Sequence, residues 1–260
     1  MAKNASLAVV DNDSPRHSFF LVNGRGKLGK SVFIRTVTEL SVERGGVPII
    51  GDIDRTNQSL SAFPHLVPNV RRPSHADDVV IVDWLNEQVN AQIDGPGNSL
   101  ILDCGGGDQI GKFWARDLEI GSFLEAHGIR PVAIHLLGAD EDDLSYLRDM
   151  EGISKFQPRD TVIILNEGIL PAGQSPEAAF APIVSHPIFR SVVDRGARVM
   201  NLPKLACMPQ IERLRVGFRE AEAGAMLDGK ARIGPVQRHM VKIWMREVSE
   251  TLAPIVAWIG

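Results

Sequence analysis

The segment from residue 24 to residue 31 combines glycine, lysine and serine at spacings that suit phosphate binding. Gly24, Gly29, Lys30 and Ser31 match the pattern GxxxxGK[ST], directly after an apolar run and at the start of a segment with helical period. Glycines let successive N–H groups turn toward phosphate oxygens, and a helix N-terminus adds the positive end of its dipole. Lys30 would neutralise the β- and γ-phosphates, and the Ser31 hydroxyl would ligate Mg²⁺. The segment predicts a nucleoside triphosphate site; the alternative is a glycine-rich turn that binds nothing.

Carboxylates follow two further apolar runs. The sequence VPIIGDIDRTNQS contains Asp52 and Asp54, and SLILDCGGGDQ contains Asp103. A phosphate-binding loop needs such acids to hold the metal and to orient the attacking water, and Asp103 fits the metal-side acid. The glycines at 105–107 would let the backbone approach the γ-phosphate. Each aspartate could instead cap the segment that follows it.

Short apolar runs alternate with segments of helical period along the chain, which predicts an α/β fold. The expected architecture is a doubly wound, mostly parallel sheet of the P-loop NTPase type with helices on both faces, and the stretch Phe63–Ser74 is expected to be a surface loop. The predicted strands are Ser18–Val22, Val47–Ile53, Ser99–Asp103, Pro131–Leu137, Thr161–Leu165 and Arg198–Leu202. The predicted helices are Lys30–Glu43, Asp77–Ile93, Gly111–His127 and Asp140–Phe156. Ligands bind such sheets at the carboxyl ends of the strands, where these motifs fall.

Bulk properties indicate an ordinary globular protein. The 260 residues suit one domain, divided here into a lead-in (1–17), a P-loop domain (18–234) and a C-terminal helix packed on it (235–260). No apolar run is long enough to span a bilayer and the N-terminus does not resemble a secretory signal, so we expect a soluble, cytoplasmic protein. Cys104 and Cys207 are expected to be reduced, structural thiols. The net charge of −4 argues against wholesale nucleic-acid binding but permits a local basic face.

Together, the phosphate-binding loop, the strand that ends in DxD followed by an Asn, and the LILDCGG strand resemble the ParA/MinD family of deviant-Walker ATPases, including TraL-like proteins of plasmid transfer and maintenance. The resemblance covers roughly residues 18 to 225. The family's loop has the form KGGxGK[ST], and the corresponding stretch is Arg25-Gly26-Lys27-Leu28-Gly29-Lys30-Ser31 after Asn23. Arg25 thus stands at the family's signature lysine, which reaches across a dimer to the partner's phosphates, and Lys27 stands at a loop glycine. Arginine can supply the same charge, as arginine fingers do, but Lys27 could also be the group that reaches across.

The resemblance also implies roles for other residues. Lys30, Asp54 and Arg25 would be catalytic, with Asp54 positioning the hydrolytic water and Asn57 in the switch that follows. Asn166 and Pro209 would form the adenine pocket, although an Asn also commonly ends a strand. The expected metal ligands are Ser31, Asp54 and Asp103. The expected cofactor-binding set is Gly24, Arg25, Gly26, Lys27, Leu28, Gly29, Lys30, Ser31, Val32, Asn166 and Pro209, and the expected cofactors are ATP and Mg²⁺.

By resemblance, the function is an ATP-binding and hydrolysing switch, slow and partner-stimulated, that dimerises on ATP. It would act with a protein partner in plasmid or chromosome partition, positioning or conjugative transfer. Arg238, Lys242 and Arg246 recur every four residues near the C-terminus, which fits either a solvated face or nonspecific DNA contacts. Membrane contact is not expected, because Pro254 interrupts the apolar end and the basic residues precede it.

Two other functions remain open from the sequence. One is an ATP-dependent ligase of the dethiobiotin or cobyrinate type that phosphorylates a small carboxylate, with Arg71 and Arg72 in its substrate pocket. The other is a nucleotide-bound interaction module with little turnover, which the altered loop makes plausible.

Overall fold

A computed structural model describes residues 17–55, 59–105, 110–153, 155–227, 230–231 and 233–260. Seven parallel strands form one sheet in the order β3-β2-β4-β1-β5-β6-β7. Its strands are β1 (His17–Asn23), β2 (Ile49–Asp52), β3 (Val70–Arg71), β4 (Leu100–Asp103), β5 (Ile129–Leu137), β6 (Asp160–Asn166) and β7 (Arg198–Leu202). A separate antiparallel pair consists of β8 (Met226–Leu227) and β9 (Lys230–Ala231).

Helices connect and cover these strands. The helices are α1 (Lys30–Glu43), α2 (Asp78–Asp94), α3 (Ile110–Asp117), α4 (Ile120–Ala126), α5 (Glu141–Ile153), α6 (Pro176–Ser185), α7 (Pro187–Asp194), α8 (Met208–Leu214), α9 (Phe218–Ala223), α10 (Pro235–Thr251) and α11 (Ala253–Ile259). Short 3₁₀ helices occur at Leu60–Ala62, Val67–Asn69 and Glu167–Ile169.

The sheet is buried on both faces, as the prediction of a doubly wound fold requires. Along β1, Phe20 and Val22 pack into one hydrophobic cluster with α1 and α8 to α11, whereas Phe19 and Leu21 pack into another with α2 to α4. A third cluster places α5, α6 and α7 over β5 and β6. This pattern explains why the strands appear in the sequence as continuous apolar runs rather than as alternating ones. The predicted fold class is confirmed.

Three local predictions before the C-terminal region were wrong. The stretch predicted as one helix from Gly111 to His127 is two helices, because the chain turns through Glu119, whose φ is +47°. Phe63–Ser74 is not only a loop, since it contains the edge strand β3. The strand predicted to begin at Val47 begins at Ile49, after Pro48, which has no N–H to donate to a ladder.

The C-terminal region is two helices rather than one. Pro254 lies in the first turn of α11, where a missing N–H costs nothing, so the chain breaks at Leu252. Ile255, Val256 and Ile259 are buried in the cluster that contains α1. The Ser18 hydroxyl donates to the Trp258 carbonyl at 2.7 Å. The apolar end of the chain is therefore part of the core.

A buried arginine fixes α1, the helix that begins at the phosphate-binding motif. The Arg35 side chain is fully buried, and its guanidinium lies 3.5 Å from the centre of the Phe63 ring and 4.8 Å from that of Phe218. It forms an ion pair with Glu212 on α8 and donates to the Val216 carbonyl at 3.3 Å. Arg35 thereby joins α1 to α8, α9 and the segment after β2.

Replacing Arg35 with alanine is expected to lower the free energy of unfolding by about 3 kcal/mol, because it removes the stacked guanidinium and leaves a cavity and an unpaired Glu212. Urea denaturation followed by circular dichroism measures this change. Arg44→Ala, an exposed position at the end of the same helix, is the matched control and should change it by less than about 0.5 kcal/mol. Equal losses for the two variants would contradict the assigned role of Arg35.

Candidate functional site

The sheet order brings the phosphate-binding motif and three aspartates to one edge. Strand β4 lies between β1 and β2, and its last residue, Asp103, is in register with Val22 on one side and Asp52 on the other. Residues 24–29 leave this edge from β1, and Asp54 follows β2 by two residues. The motifs that the sequence separates by some 80 residues thus converge on one site.

The loop from residue 24 to residue 29 requires glycine at both ends. Gly29 has φ of +86°, and a Cβ there would lie 2.4 Å from the Asn166 side-chain nitrogen. A Cβ at Gly24 would lie 2.9 Å from the Leu136 carbonyl oxygen on β5. Cβ atoms essentially never come so near to other atoms. The loop can therefore pack this closely against β5 and β6 only with glycine at these two positions.

Lys30 lies under the loop, in the first turn of α1. Its side chain is buried and its ammonium donates to the Gly24 carbonyl at 3.0 Å, which closes the loop from one end to the other. Its positive charge also favours ionisation of Asp103. The ammonium thus bonds to the loop backbone and is near enough to Asp103 to favour its charged form.

Ser31 and Ser59 link the loop to the segment after β2. Their hydroxyl oxygens are 2.7 Å apart, within hydrogen-bonding distance. The predicted switch residue Asn57 lies outside the described residues, as do residues 106 and 107 of the glycine run. Ser59 was not singled out from the sequence, and its contact with Ser31 places it beside the predicted metal ligand.

Asp103 is the acid whose surroundings fit a cation. It is almost fully buried, and its Oδ1 has no hydrogen-bond partner in the part of the chain that the structure describes. Burial raises its pKa to about 7, against the opposing effect of Lys30, and the neighbouring Asp52 and Asp54 add to the rise. An unpaired buried carboxylate oxygen is costly, and a divalent cation would satisfy it. The residues present therefore fit Mg²⁺.

Asp52 is held within the protein. It accepts hydrogen bonds from the Arg72 guanidinium at 2.7 Å and from the Asp54 backbone N–H at 3.2 Å. Burial raises its pKa, while the Arg72 partner opposes that rise. Asp54 is half-buried and faces Gly105 so closely that a Cβ there would lie 3.1 Å from the Asp54 carboxyl. Asp54, rather than Asp52, is thus the acid left nearer to the solvent side of the site.

Asn166 supports the loop. Its side-chain nitrogen donates to the Leu28 carbonyl at 2.7 Å, and its side-chain oxygen accepts from the Gly168 N–H at 2.9 Å. Pro209 is exposed in the first turn of α8, and Val32 is half-buried on α1. The predicted adenine pocket formed by Asn166 and Pro209 stays a prediction. The loop-anchoring role of Asn166 was not foreseen from the sequence.

Arg25 lies in a cluster of carboxylates from the β5–α5 connection. Its three guanidinium nitrogens approach Asp140 at 3.0 Å, Asp142 at 2.9 Å and Asp143 at 3.0 Å. The hydrogen bond to Asp140 is the main cause of a raised pKa for Arg25. These aspartates were missed in the sequence, although they begin three residues after a predicted strand, where the other acidic residues of the site were found.

The basic residues of α10 lie away from this edge, on the helix that packs against α9 and β7. Arg238, Lys242 and Arg246 are all exposed. Arg238 also donates to the Glu222 carbonyl at 3.1 Å, so part of its role is structural. Both cysteines are buried, and neither forms a disulfide with the other.

Among the described residues, no group of three or more His, Cys, Asp or Glu side chains is arranged to hold a metal by itself, which is compatible with a cation bound mainly through phosphate and one or two carboxylates. None of the helices within the described ranges has the length and apolar character needed to cross a membrane.

Strand order, loop and acidic strand ends together define the P-loop nucleotide-binding fold. No protein-family model and no curated protein matches the chain in sequence. Among solved structures, the septum site-determining protein MinD from Pyrococcus horikoshii, complexed with Mg-ADP, is similar at 17% identity with a TM-score of 0.52, covering 92% of this chain and 98% of that one. The chain therefore has the MinD fold, which confirms the predicted resemblance at the level of the fold.

Two Aquifex aeolicus structures give lower scores. The cell division protein MinD is 10% identical with a TM-score of 0.48, covering 88% of this chain and 97% of that one. The chain matched in a MinC:MinD complex is 9% identical with a TM-score of 0.47, covering 88% and 96%.

The protonation state of Asp103 should change the affinity of the protein for Mg-ADP. Between the ordinary Asp range and about pH 7, the Asp103 carboxyl is protonated in the folded state and ionised in the unfolded state. The free energy of unfolding therefore falls as the pH rises through this range, and Asp103 is charged mainly above about pH 7. Affinity for Mg-ADP should therefore be about tenfold weaker near pH 6 than near pH 8. Isothermal titration calorimetry at both values measures this difference.

Asp103→Asn is the control for other titrating groups, including the nucleotide phosphates. It should bind Mg-ADP more weakly and with a much smaller dependence on pH. The same pH dependence in both proteins would show that Asp103 does not titrate as assigned.

Proposed function

We propose that this protein is an ATP-binding and hydrolysing switch of the ParA/MinD type, which dimerises when ATP binds and monomerises after hydrolysis. The observation that carries the proposal is the convergence of Lys30, Ser31, Asp54 and Asp103 at one edge of a sheet with the MinD fold. Such an arrangement supplies the charge and positioning on which phosphoryl transfer depends.

The proposed role of each site residue follows from its position. The loop N–H groups and Lys30 would bind the β- and γ-phosphates, and Lys30 would exchange its bond to the Gly24 carbonyl for phosphate oxygens. Ser31 and Asp103 would hold Mg²⁺, which when bound neutralises charge between the β- and γ-phosphates. Asp54, the half-buried acid, would orient the attacking water toward the γ-phosphorus. Asn166 and Pro209 would contact adenine.

The cellular role rests on resemblance. The proposed setting is the cytoplasm, and the proposed task is partition, positioning or conjugative transfer of DNA together with a protein partner. A switch of this kind needs a differential affinity for the partner between its monomeric and dimeric forms, and the two nucleotide states provide it. Slow, partner-stimulated turnover would make the ATP-bound form persist long enough to act.

Light scattering after size exclusion tests the switch directly. With Mg-ATP the wild type should have twice the mass that it has with Mg-ADP, and Asp54→Ala should remain dimeric with ATP because it cannot position the water. Phosphate release should fall by about a hundredfold in the variant. If the protein has the same mass with Mg-ATP as with Mg-ADP, it does not dimerise on ATP, and that part of the proposal is wrong.

A cavity beside the site keeps the ligase alternative open. Its volume is about 330 Å³, and its lining includes Asp52, Asp54, Arg55, Arg72 and His75. However, Arg72 pairs with Asp52 and Arg55 pairs with Asp78 at 2.6 Å, so both guanidinium charges are already matched by carboxylates. Arg71 is exposed on β3. Phosphate release that depends on an added small carboxylate would favour the ligase over the switch.

The exposed basic face of α10 supports DNA as one partner. Lys242→Ala combined with Arg246→Ala should weaken ATP-dependent binding to a DNA duplex at least tenfold at low salt and reduce the salt-dependence slope by about 2, because two phosphate contacts are lost. Fluorescence anisotropy measures both quantities. Arg148→Ala combined with Arg190→Ala removes the same charge from exposed positions on α5 and α7 and serves as the control. Equal effects of the two pairs would argue against a specific face.

A further inference from the structure

The phosphate-binding loop carries two cationic side chains on its exposed turn, Arg25 and Lys27. Of these two, only Arg25 forms ion pairs with the described residues of its own subunit. The Arg25 guanidinium is surrounded by Asp140, Asp142 and Asp143, with one carboxylate near each of its three nitrogens at 2.9–3.0 Å. Asp143 is itself fixed, since it is fully buried and its Oδ2 accepts from the Gly138 N–H at 2.9 Å. Arg25 is thereby attached, through Asp143, to the backbone just after β5.

Moving Arg25 to a second subunit would break all three of these contacts. Asp140 and Asp142 are exposed and would be solvated, but the Asp143 side chain is fully buried and would lose the cation that it faces. Burial already raises the pKa of Asp143, against the opposing effects of the Gly138 N–H and of Arg25, so the loss of Arg25 would further disfavour its charged form. The surroundings of Arg25 suit a residue that holds the loop in place within its own subunit.

Lys27 has the opposite surroundings. It is exposed, and in the described ranges its ammonium has no hydrogen-bond or ion-pair partner. The neighbouring Gly26 is also exposed, and the space where its Cβ would point is open for 4 Å. The Gly26–Lys27 turn is therefore the part of the loop that a second molecule can approach.

The backbone at Lys27 is also informative. Its φ is +70°, a left-handed conformation that glycine adopts freely and lysine rarely does. The loop thus places a strained lysine where glycine would fit without strain. Glu119, Lys155 and Arg215 also have positive φ. The conformation of Lys27 therefore supports a task at the site only together with its exposure on the loop.

We propose that Lys27, rather than Arg25, supplies the cation that one subunit places against the phosphates of its partner, while Arg25 is a positioning residue for the loop. This inference rests on the proposed ATP-driven dimer. In the closed dimer, the Lys27 ammonium neutralises charge that develops on the partner's γ-phosphate, and it exchanges no proton. Across the dimer two-fold axis, each subunit donates its Lys27 to the other's site.

Complementation between inactive variants tests this assignment. Lys27→Gly removes the ammonium and relieves the backbone strain, so loss of activity cannot come from a strained loop. Alone, it should bind Mg-ADP within about twofold of the wild type but lose at least tenfold in ATP turnover and in ATP-dependent dimer formation. Asp54→Ala alone should also be inactive.

Mixing the two variants should restore activity. A mixed dimer has one site that combines Asp54 of the first subunit with Lys27 of the second, so the mixture should exceed the turnover of either variant alone severalfold, up to a limit of about one quarter of wild-type turnover. Arg25→Ala mixed with Asp54→Ala should stay inactive, because the Arg25 variant is defective within its own site. It should also bind Mg-ADP several-fold more weakly, which Lys27→Gly should not.

The wild-type measurements distinguish a failure of the proposed function from a failure of the Lys27 assignment. If the wild type neither dimerises nor hydrolyses ATP, the proposed function itself is wrong, and the wild-type measurement reveals this before any variant is compared. If the wild type does both, the assignment is overturned by full activity of Lys27→Gly, by the absence of rescue in its mixture with Asp54→Ala, or by rescue of Arg25→Ala instead.

Discussion

The structure is organised around one buried carboxylate. Asp103 ends the strand that lies between β1 and β2, so its side chain points into the space between the phosphate-binding loop and the acids that follow β2. Burial there penalises its charged form, and the two nearest aspartates increase the penalty. A fold selected only for stability would place an apolar residue at this position. The buried carboxylate is a departure from the rules that stabilise a core, of the kind that functional sites commonly show.

The loop around this carboxylate is anchored by contacts from three directions. Asn166 on β6 binds the Leu28 carbonyl, the aspartates after β5 hold Arg25, and Lys30 bonds to the Gly24 carbonyl. The loop conformation is thus fixed by contacts with two neighbouring strands. A site whose backbone is held in this way loses less entropy on binding a ligand than a flexible one does.

The sequence predicts most of the fold because the parallel strands are buried on both faces and therefore appear as apolar runs. It does not predict the break between α3 and α4, since Glu119 resembles an ordinary helical residue and only its positive φ reveals the turn. The two-residue strand β3 is too short to show a pattern. A short strand is held by its neighbour β2 rather than by its own propensity.

The sequence likewise predicts some residues of the candidate site and not others. The loop and the acids Asp54 and Asp103 can be found because they lie next to strand ends within recognisable motifs. The partners of Arg25 lie more than 110 residues away, and the sequence contains no signal of which charges will meet. Asn166 was found for a different reason from the one that the structure gives. Contacts between distant segments depend on strand order, which a local pattern does not contain.

Helix α1 gives the site a physical connection to the far surface of the molecule. It begins at Lys30 beneath the loop, and Arg35 in its second turn pairs with Glu212 on α8 and lies over Phe218 of α9. Helix α9 in turn packs against α10, whose outer face carries the exposed basic residues. These contacts join α1, α9 and α10 into one packed layer on one face of the sheet. The buried Arg35 therefore stabilises the point at which the helix that begins at the loop meets the helices that carry the basic face.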